Sequence, residues 1–139
     1  MLASSSKYAV KAIVYIVSHS TPQKRLLVRD IAKAIEAPQP FLSKILQQLS
    51  TKNYLTSMKG PNGGFYITEE QLENSIMDII IEIEGKDRLK QCALNFENCD
   101  SENPCPIHDF ISETKEELRA SFSKIKVSDL KNKNYKFLK

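Results

Sequence analysis

Cys92, Cys99 and Cys105 are the only cysteines in this chain of 139 residues, and His108 stands three positions after the last of them. All three thiols fall within a stretch of fourteen residues. Thiolates gathered with an imidazole suit soft metals, so the segment points to an iron–sulfur or zinc site. An odd number of cysteines argues against a disulfide framework. Structural zinc usually takes its cysteines from tight Cys-x₂₋₄-Cys knuckles, and the spacings here are wider, which favours iron–sulfur. Zinc or another metal, or metal-free thiols that sense oxidants or are vestigial, are the alternatives. Glu97, Asp100 and Asp109 could supply an oxygen ligand in place of His108. His19, at the end of a helical segment, reads as structural or solvated.

Enzyme chemistry finds no support in the same sequence. A thiol oxidoreductase wants Cys-x-x-Cys, and no such pair occurs. The run Gly60-Pro61-Asn62-Gly63-Gly64 lacks the spacing of a phosphate-binding loop. No pair of carboxylates suggests general acid–base work.

Charge suggests a different partner. Residues 1–68 carry nine Lys/Arg against Asp30 and Glu36, whereas the remainder is net acidic. A basic N-terminal half suits a polyanion such as DNA. No apolar run is long enough to span a membrane. The start, Met1 to Lys7, lacks the pattern of a secretory signal, so a cytoplasmic protein with reduced thiols is expected.

The elements that must position these residues follow from apolar spacing. Ala9, Ala12, Ile13, Ile16 and Val17 predict a helix over 5–19. Leu26-Leu27-Val28 could be a short strand or a helix entry. A second helix is expected over 30–37, broken by Pro38. Pro40 suits the first position of a third helix, in which Leu42, Ile45, Leu46 and Leu49 face inward. Gln39, Ser43, Lys44, Gln47 and Gln48 form its opposite stripe. Two short helices joined by a tight turn make a helix-turn-helix. Tyr54–Met58 and Phe65–Ile67 are strand-like, and three of the four glycines lie between them or at their edge, which predicts a β-hairpin. A hairpin in this place makes the unit a winged helix. Ser75 with Asp78 reads as the N-cap of a fourth helix that stops at Gly85. Pro106 should open a long helix with the seam Ile107, Phe110, Ile111, Thr114, Leu118, Phe122 and Ile125. A seam of that kind at a chain end often packs on a twin.

The ordered motifs resemble one family over nearly the whole chain, the IscR/NsrR-type (Rrf-two) winged-helix regulators of bacteria. Lys7-Tyr8-Ala9-Val10, Asp30-Ile31-Ala32 and Phe41-Leu42-Ser43-Lys44-Ile45-Leu46 match in the first three helices. Gly60-Pro61-Asn62-Gly63-Gly64-Phe65 matches in the wing, Glu84-Gly85 after it, and the cysteine loop completes the pattern. The resemblance implies a homodimeric transcription factor whose long helices pair. It implies an iron–sulfur cluster on Cys92, Cys99 and Cys105. In the iron–sulfur regulator branch the fourth ligand is a histidine, which Cys105-Pro106-Ile107-His108 matches, and the cluster is [2Fe–2S]. The nitric-oxide-sensing branch uses an aspartate where this chain has Lys7, which cannot ligate. Six residues separate Cys92 from Cys99, one more than is usual in the family.

The expected architecture is mainly α with a small β-hairpin wing. Residues 1–85 form the winged helix-turn-helix, 86–105 the cysteine-bearing loop, 106–130 the dimerisation helix with a short helix, and 131–139 a flexible basic tail. The partner is double-stranded DNA with a pseudo-palindromic operator, bound by a homodimer. Gln39, Pro40, Ser43, Lys44 and Gln47 are expected at the bases, and Lys59 and Asn62 at the wing. Lys7, Lys11 and Arg29 are expected at phosphates.

Overall fold

The computed structural model describes residues 2–131, apart from the Arg88 side chain. Of the expected basic tail only Lys131 lies among them. Helix α1 spans Ser4–His19 and buries the stripe Ala9, Ala12, Ile13, Ile16 and Val17. Its start has no side-chain cap of its own. Instead the Ala3 amide donates to both carboxylate oxygens of Glu84, each at 3.3 Å. An acid at a helix N-terminus suits the exposed amides and the dipole.

Helix α2 spans Val28–Ile35, two residues earlier than expected. Leu27 precedes it in extended conformation, and Leu26 forms a bridge to Phe65, so the apolar run serves as both strand and helix entry. Glu36 ends α2 in the left-handed region at φ 55°, and the Ala37 amide reaches back to the Ala32 carbonyl at 2.9 Å. Helix α3, Gln39–Thr51, starts one residue before Pro40 and buries Leu42, Ile45, Leu46 and Leu49. Proline is tolerated there because the first amides of a helix lack intrahelical acceptors.

Strands β1 (Thr56–Met58) and β2 (Gly64–Tyr66) pair antiparallel, with Ser57 opposite Phe65. The first strand is shorter than the sequence suggests, and the second starts one residue earlier at the same length. Leu26 and Phe65 exchange backbone hydrogen bonds at 2.9 and 2.7 Å, so the α1–α2 loop adds a third short rung. Gly64 permits this approach: a Cβ there would lie 2.7 Å from the Leu26 carbonyl oxygen, and its φ is +139°. The hairpin base is fastened by Gln71, a buried side chain. It donates to Asn53 Oδ1 at 3.1 Å and accepts from Thr56 Oγ1 and the Thr68 amide at 3.1 and 3.0 Å.

Helix α4, Ile76–Glu84, opens with a complete capping box between Ser75 and Asp78 and closes at Gly85, φ 93°. Helix α5, Ile107's successor, spans His108–Lys124. It begins two residues after Pro106, because Cys105 to His108 form a turn closed by the His108 amide on the Cys105 carbonyl at 3.1 Å. After α5 the chain returns to the winged unit. The Ile76 amide donates to the Ile125 carbonyl at 2.8 Å, the Val127 amide to Asn74 at 2.9 Å, and Val127 is buried beside α1. One core therefore joins α1–α4, Leu89 and Val127. None of the described helices is long and apolar enough to cross a membrane.

Candidate functional site

The cysteine loop runs between two anchors. Leu89 is buried in the core at its start. Lys115 of α5 donates to the carbonyls of Lys90 and Gln91, pinning the loop entry to the long helix. The loop then doubles back at Asn95, whose φ is 63° and whose amide bonds the Cys92 carbonyl at 2.9 Å.

These turns bring the three sulfurs within 4.8 Å of one another. Cys92 Sγ lies 3.6 Å from Cys105 Sγ. Two thiolates on one tetrahedral ion with metal–sulfur bonds of about 2.3 Å would stand about 3.8 Å apart, so the spacing suits shared ligation. The Cys105 amide donates to Cys99 Sγ at 3.2 Å, and His108 Nδ1 lies 3.4 Å from the same sulfur. Among the described residues, the mutually close set is the three thiols, with His108 touching it through Cys99. Asp100 is occupied elsewhere: its Oδ1 accepts from the amides of Glu102 and Asn103 at 2.9 and 2.7 Å.

The thiols are electrostatically unequal. Backbone hydrogen bonding at Phe96 holds Cys92 down to about 7 against burial, with help from Leu94 and from the Cys105 and Cys99 thiols. A thiolate at neutral pH is the form that binds metal. For Cys99, the Cys105 amide favours the thiolate, but burial and its two thiol neighbours outweigh it and raise its pKa. Backbone hydrogen bonding at Phe96 sets Cys92 apart, and the close thiols add to the division because neighbouring thiols cannot all ionise freely.

The basic half presents a separate surface. Gln39, Pro40, Lys44 and Gln47 are exposed along α3, and Ser43 is half-buried among them. Gln48 leaves that stripe: its amide donates to the Glu82 carbonyl at 3.0 Å, tying α3 to α4. Lys59 and Asn62 are exposed at the hairpin tip, and Lys7, Lys11 and Arg29 on their helices. Arg29 meets Asp30 at 3.5 Å, an exposed pair of little energetic weight. Phe41, matched in the third-helix motif, has no expected place on this surface. It is 40% exposed near the start of α3 and meets the Tyr8 ring edge-on at 5.7 Å, with Lys11 Nζ 5.9 Å from that ring. The helical stripe gave no hint of an aromatic outside the core. His19 is exposed at the end of α1, where it stacks on Tyr15 at 4.3 Å.

The seam of α5 divides. Phe122 and Ile125 rest against this chain's own core. Ile107, Ile111 and Leu118 are half-exposed, Thr114 is exposed, and Phe110 is 82% exposed. No residue of α5 is buried in the single chain.

Comparison with known proteins decides the family. The model of the Rrf2 family, described as iron-dependent transcriptional regulators, matches residues 2–133. The chain belongs to the Rrf2 family. A protein of Aquifex aeolicus (strain VF5) named as an HTH-type transcriptional regulator is 30% identical over 140 residues, covering 99% of this chain and 96% of its own. CymR, the global cysteine regulator of B. subtilis, superposes with TM-score 0.73 at 14% identity over 94% of this chain and 95% of its own. IscR of T. potens superposes with TM-score 0.70 at 18% identity, over 94% and 85%. This Rrf2 chain is thus a winged-helix, DNA-binding transcriptional regulator and not an enzyme.

Proposed function

We propose that the protein is a homodimeric regulator whose grip on DNA is set by an iron–sulfur cluster of [2Fe–2S] type on Cys92, Cys99, Cys105 and His108. The convergence of all three thiols within 4.8 Å in a loop with no catalytic groups is the observation that carries this reading. The donor set fits: three cysteine sulfurs, with Cys92 drawn down to about 7, and an imidazole against Cys99. A cluster held there would supply a redox-active, oxidant-sensitive centre whose potential depends on its ligands and exposure.

The chain's own residues supply the coupling. Lys115 ties the loop entry to α5, and Leu89 ties it to the core. Gln48 joins α4 to the reading helix α3. A loop made rigid by ligation therefore favours one placement of α5, and of the two reading heads of a dimer, over another. Ile107, Phe110, Ile111, Thr114 and Leu118 form the dimer seam, and Phe122 and Ile125, expected to extend it, hold the end of α5 against the chain's own core. Each α3 enters a major groove of a pseudo-palindrome with Gln39, Pro40, Ser43, Lys44 and Gln47 toward the bases. Lys59 and Asn62 approach the minor groove, and Lys7, Lys11 and Arg29 meet phosphates.

A zinc-responsive regulator is the second reading, because the compact sulfur triangle also suits a single ion. Anaerobic purification with iron, sulfide and zinc analysis separates the two. Iron and acid-labile sulfide that vanish in each Cys→Ala variant support the cluster; stoichiometric zinc in a colourless protein supports the alternative.

A further inference from the structure

The loop between α1 and α2 carries a cation that the assignments above leave unused. Arg25 is half-buried, and its Nη1 donates to the Asn62 carbonyl at 3.0 Å, across 37 positions of sequence. Its guanidinium carbon stands 5.8 Å from the centroid of the Tyr66 ring. Its Nε is enclosed without a hydrogen-bond partner. The next residue, Leu26, exchanges both backbone hydrogen bonds with Phe65. Arg25 thus touches the tip of the hairpin through Asn62 and its second strand through Tyr66.

The hairpin needs such support. Its strands are three residues each, and a two-stranded hairpin alone is marginal in water. Its tip turn is closed by the Gly63 amide on the Gly60 carbonyl at 2.9 Å, and Lys59 to Asn62 are all exposed. Among the described residues, Arg25 supplies the one hydrogen bond that reaches this tip from outside the hairpin. A guanidinium has several N–H donors in a rigid fork, so it can bond a carbonyl while it stands beside a ring.

We infer that Arg25 is a positioning residue for DNA binding: it clamps the wing tip to the α1–α2 loop and so presents Lys59 at a fixed place beside α2 and α3. The inference rests on the reading that the wing touches DNA. A side chain on a fixed tip loses less freedom on binding, so removing the clamp costs affinity through Lys59 and not through a contact of Arg25 itself.

A double-mutant cycle on the full chain tests this. Affinity for an operator selected by the wild-type protein from random duplexes is measured over a salt series for wild type, Lys59→Ala, Arg25→Met and the double variant. Each single change should weaken binding roughly five- to tenfold and lower the salt slope by about one. The double variant should be no weaker than the worse single. Losses that multiply in the double would make Arg25 a DNA contact in its own right and overturn the inference. If Lys59→Ala weakens binding and Arg25→Met does not, the clamp alone falls. If Lys59→Ala has no effect, the wing reading falls and takes the clamp with it. The chain has no tryptophan, so Pro61→Trp places a single reporter at the tip. Arg25→Met should lower its fluorescence anisotropy, and an unchanged value would overturn the clamp. Should Arg25→Met unfold, Arg25→Gln, too short to reach both the Asn62 carbonyl and the Tyr66 ring, should give the same fall.

Discussion

Cys92 and Cys99 are chemically alike in sequence and different in the fold. Cys92 is drawn down from 9.0 to about 7, whereas Cys99 is raised. In metal-free protein, iodoacetamide should therefore label Cys92 with a midpoint near pH 7 and Cys99 only at higher pH, as mass spectrometry of the alkylated chain would show. The sign follows from linkage: a depressed folded pKa contributes stability that is present above pH 9.0 and is lost as pH falls through about 7. Metal uptake should weaken over the same fall, since protons compete for the thiolate. At the reading surface, Gln47→Ala should cost about 1–3 kcal/mol on the preferred operator and little elsewhere. Arg29→Ala should weaken all duplexes alike and reduce the salt slope by about one. Operator and scrambled duplexes titrated across salt distinguish the two; matching profiles would contradict the division into base reading and phosphate anchoring.

At the scale of elements, the wing depends on a close backbone approach. Gly64→Ala would set a Cβ 2.7 Å from the Leu26 carbonyl oxygen at a φ of +139°, so it should destabilise the fold by about 1–3 kcal/mol in urea unfolding. Ser75→Ala removes one half of the α4 capping box and should cost about 1 kcal/mol in the same assay. A Gly64→Ala protein as stable as wild type would mean that the Leu26–Phe65 rung is dispensable. The helices α1 and α3 and the Ser75 cap were legible because apolar periodicity and capping chemistry are local. So was the hairpin, marked by its glycines. The early start of α2 was not, because Leu26 is drawn into the sheet by a partner 39 positions away. The late start of α5 reflects the turn from Cys105 to His108, which no periodicity reports. At the site, the sequence singled out the three thiols and His108. It could not reveal Lys115 at the loop entry, Arg25 at the wing or Phe41 against Tyr8, since each depends on a tertiary meeting of distant segments.

Over the whole molecule, the basic winged half and the thiol loop are joined by one core and by a long helix that rests Phe122 on it while no residue of that helix is fully buried. A ring as exposed as Phe110, at 82%, beside half-exposed Ile111 and Leu118 leaves apolar surface that a second copy would cover. Leu118→Glu should place an unpaired carboxylate in that seam and split the dimer at micromolar concentration, as sedimentation velocity would show. Wild-type protein that sediments as a monomer would contradict the assembly. The central claim is that the thiol triangle holds an iron–sulfur cluster, and the most direct measurement is the visible spectrum of protein purified without oxygen, with iron and acid-labile sulfide assayed on the same sample. The expected result is a coloured protein containing both, bleached in Cys92→Ala, Cys99→Ala and Cys105→Ala. A colourless protein holding stoichiometric zinc, unchanged by anaerobic reconstitution with iron and sulfide, would contradict it.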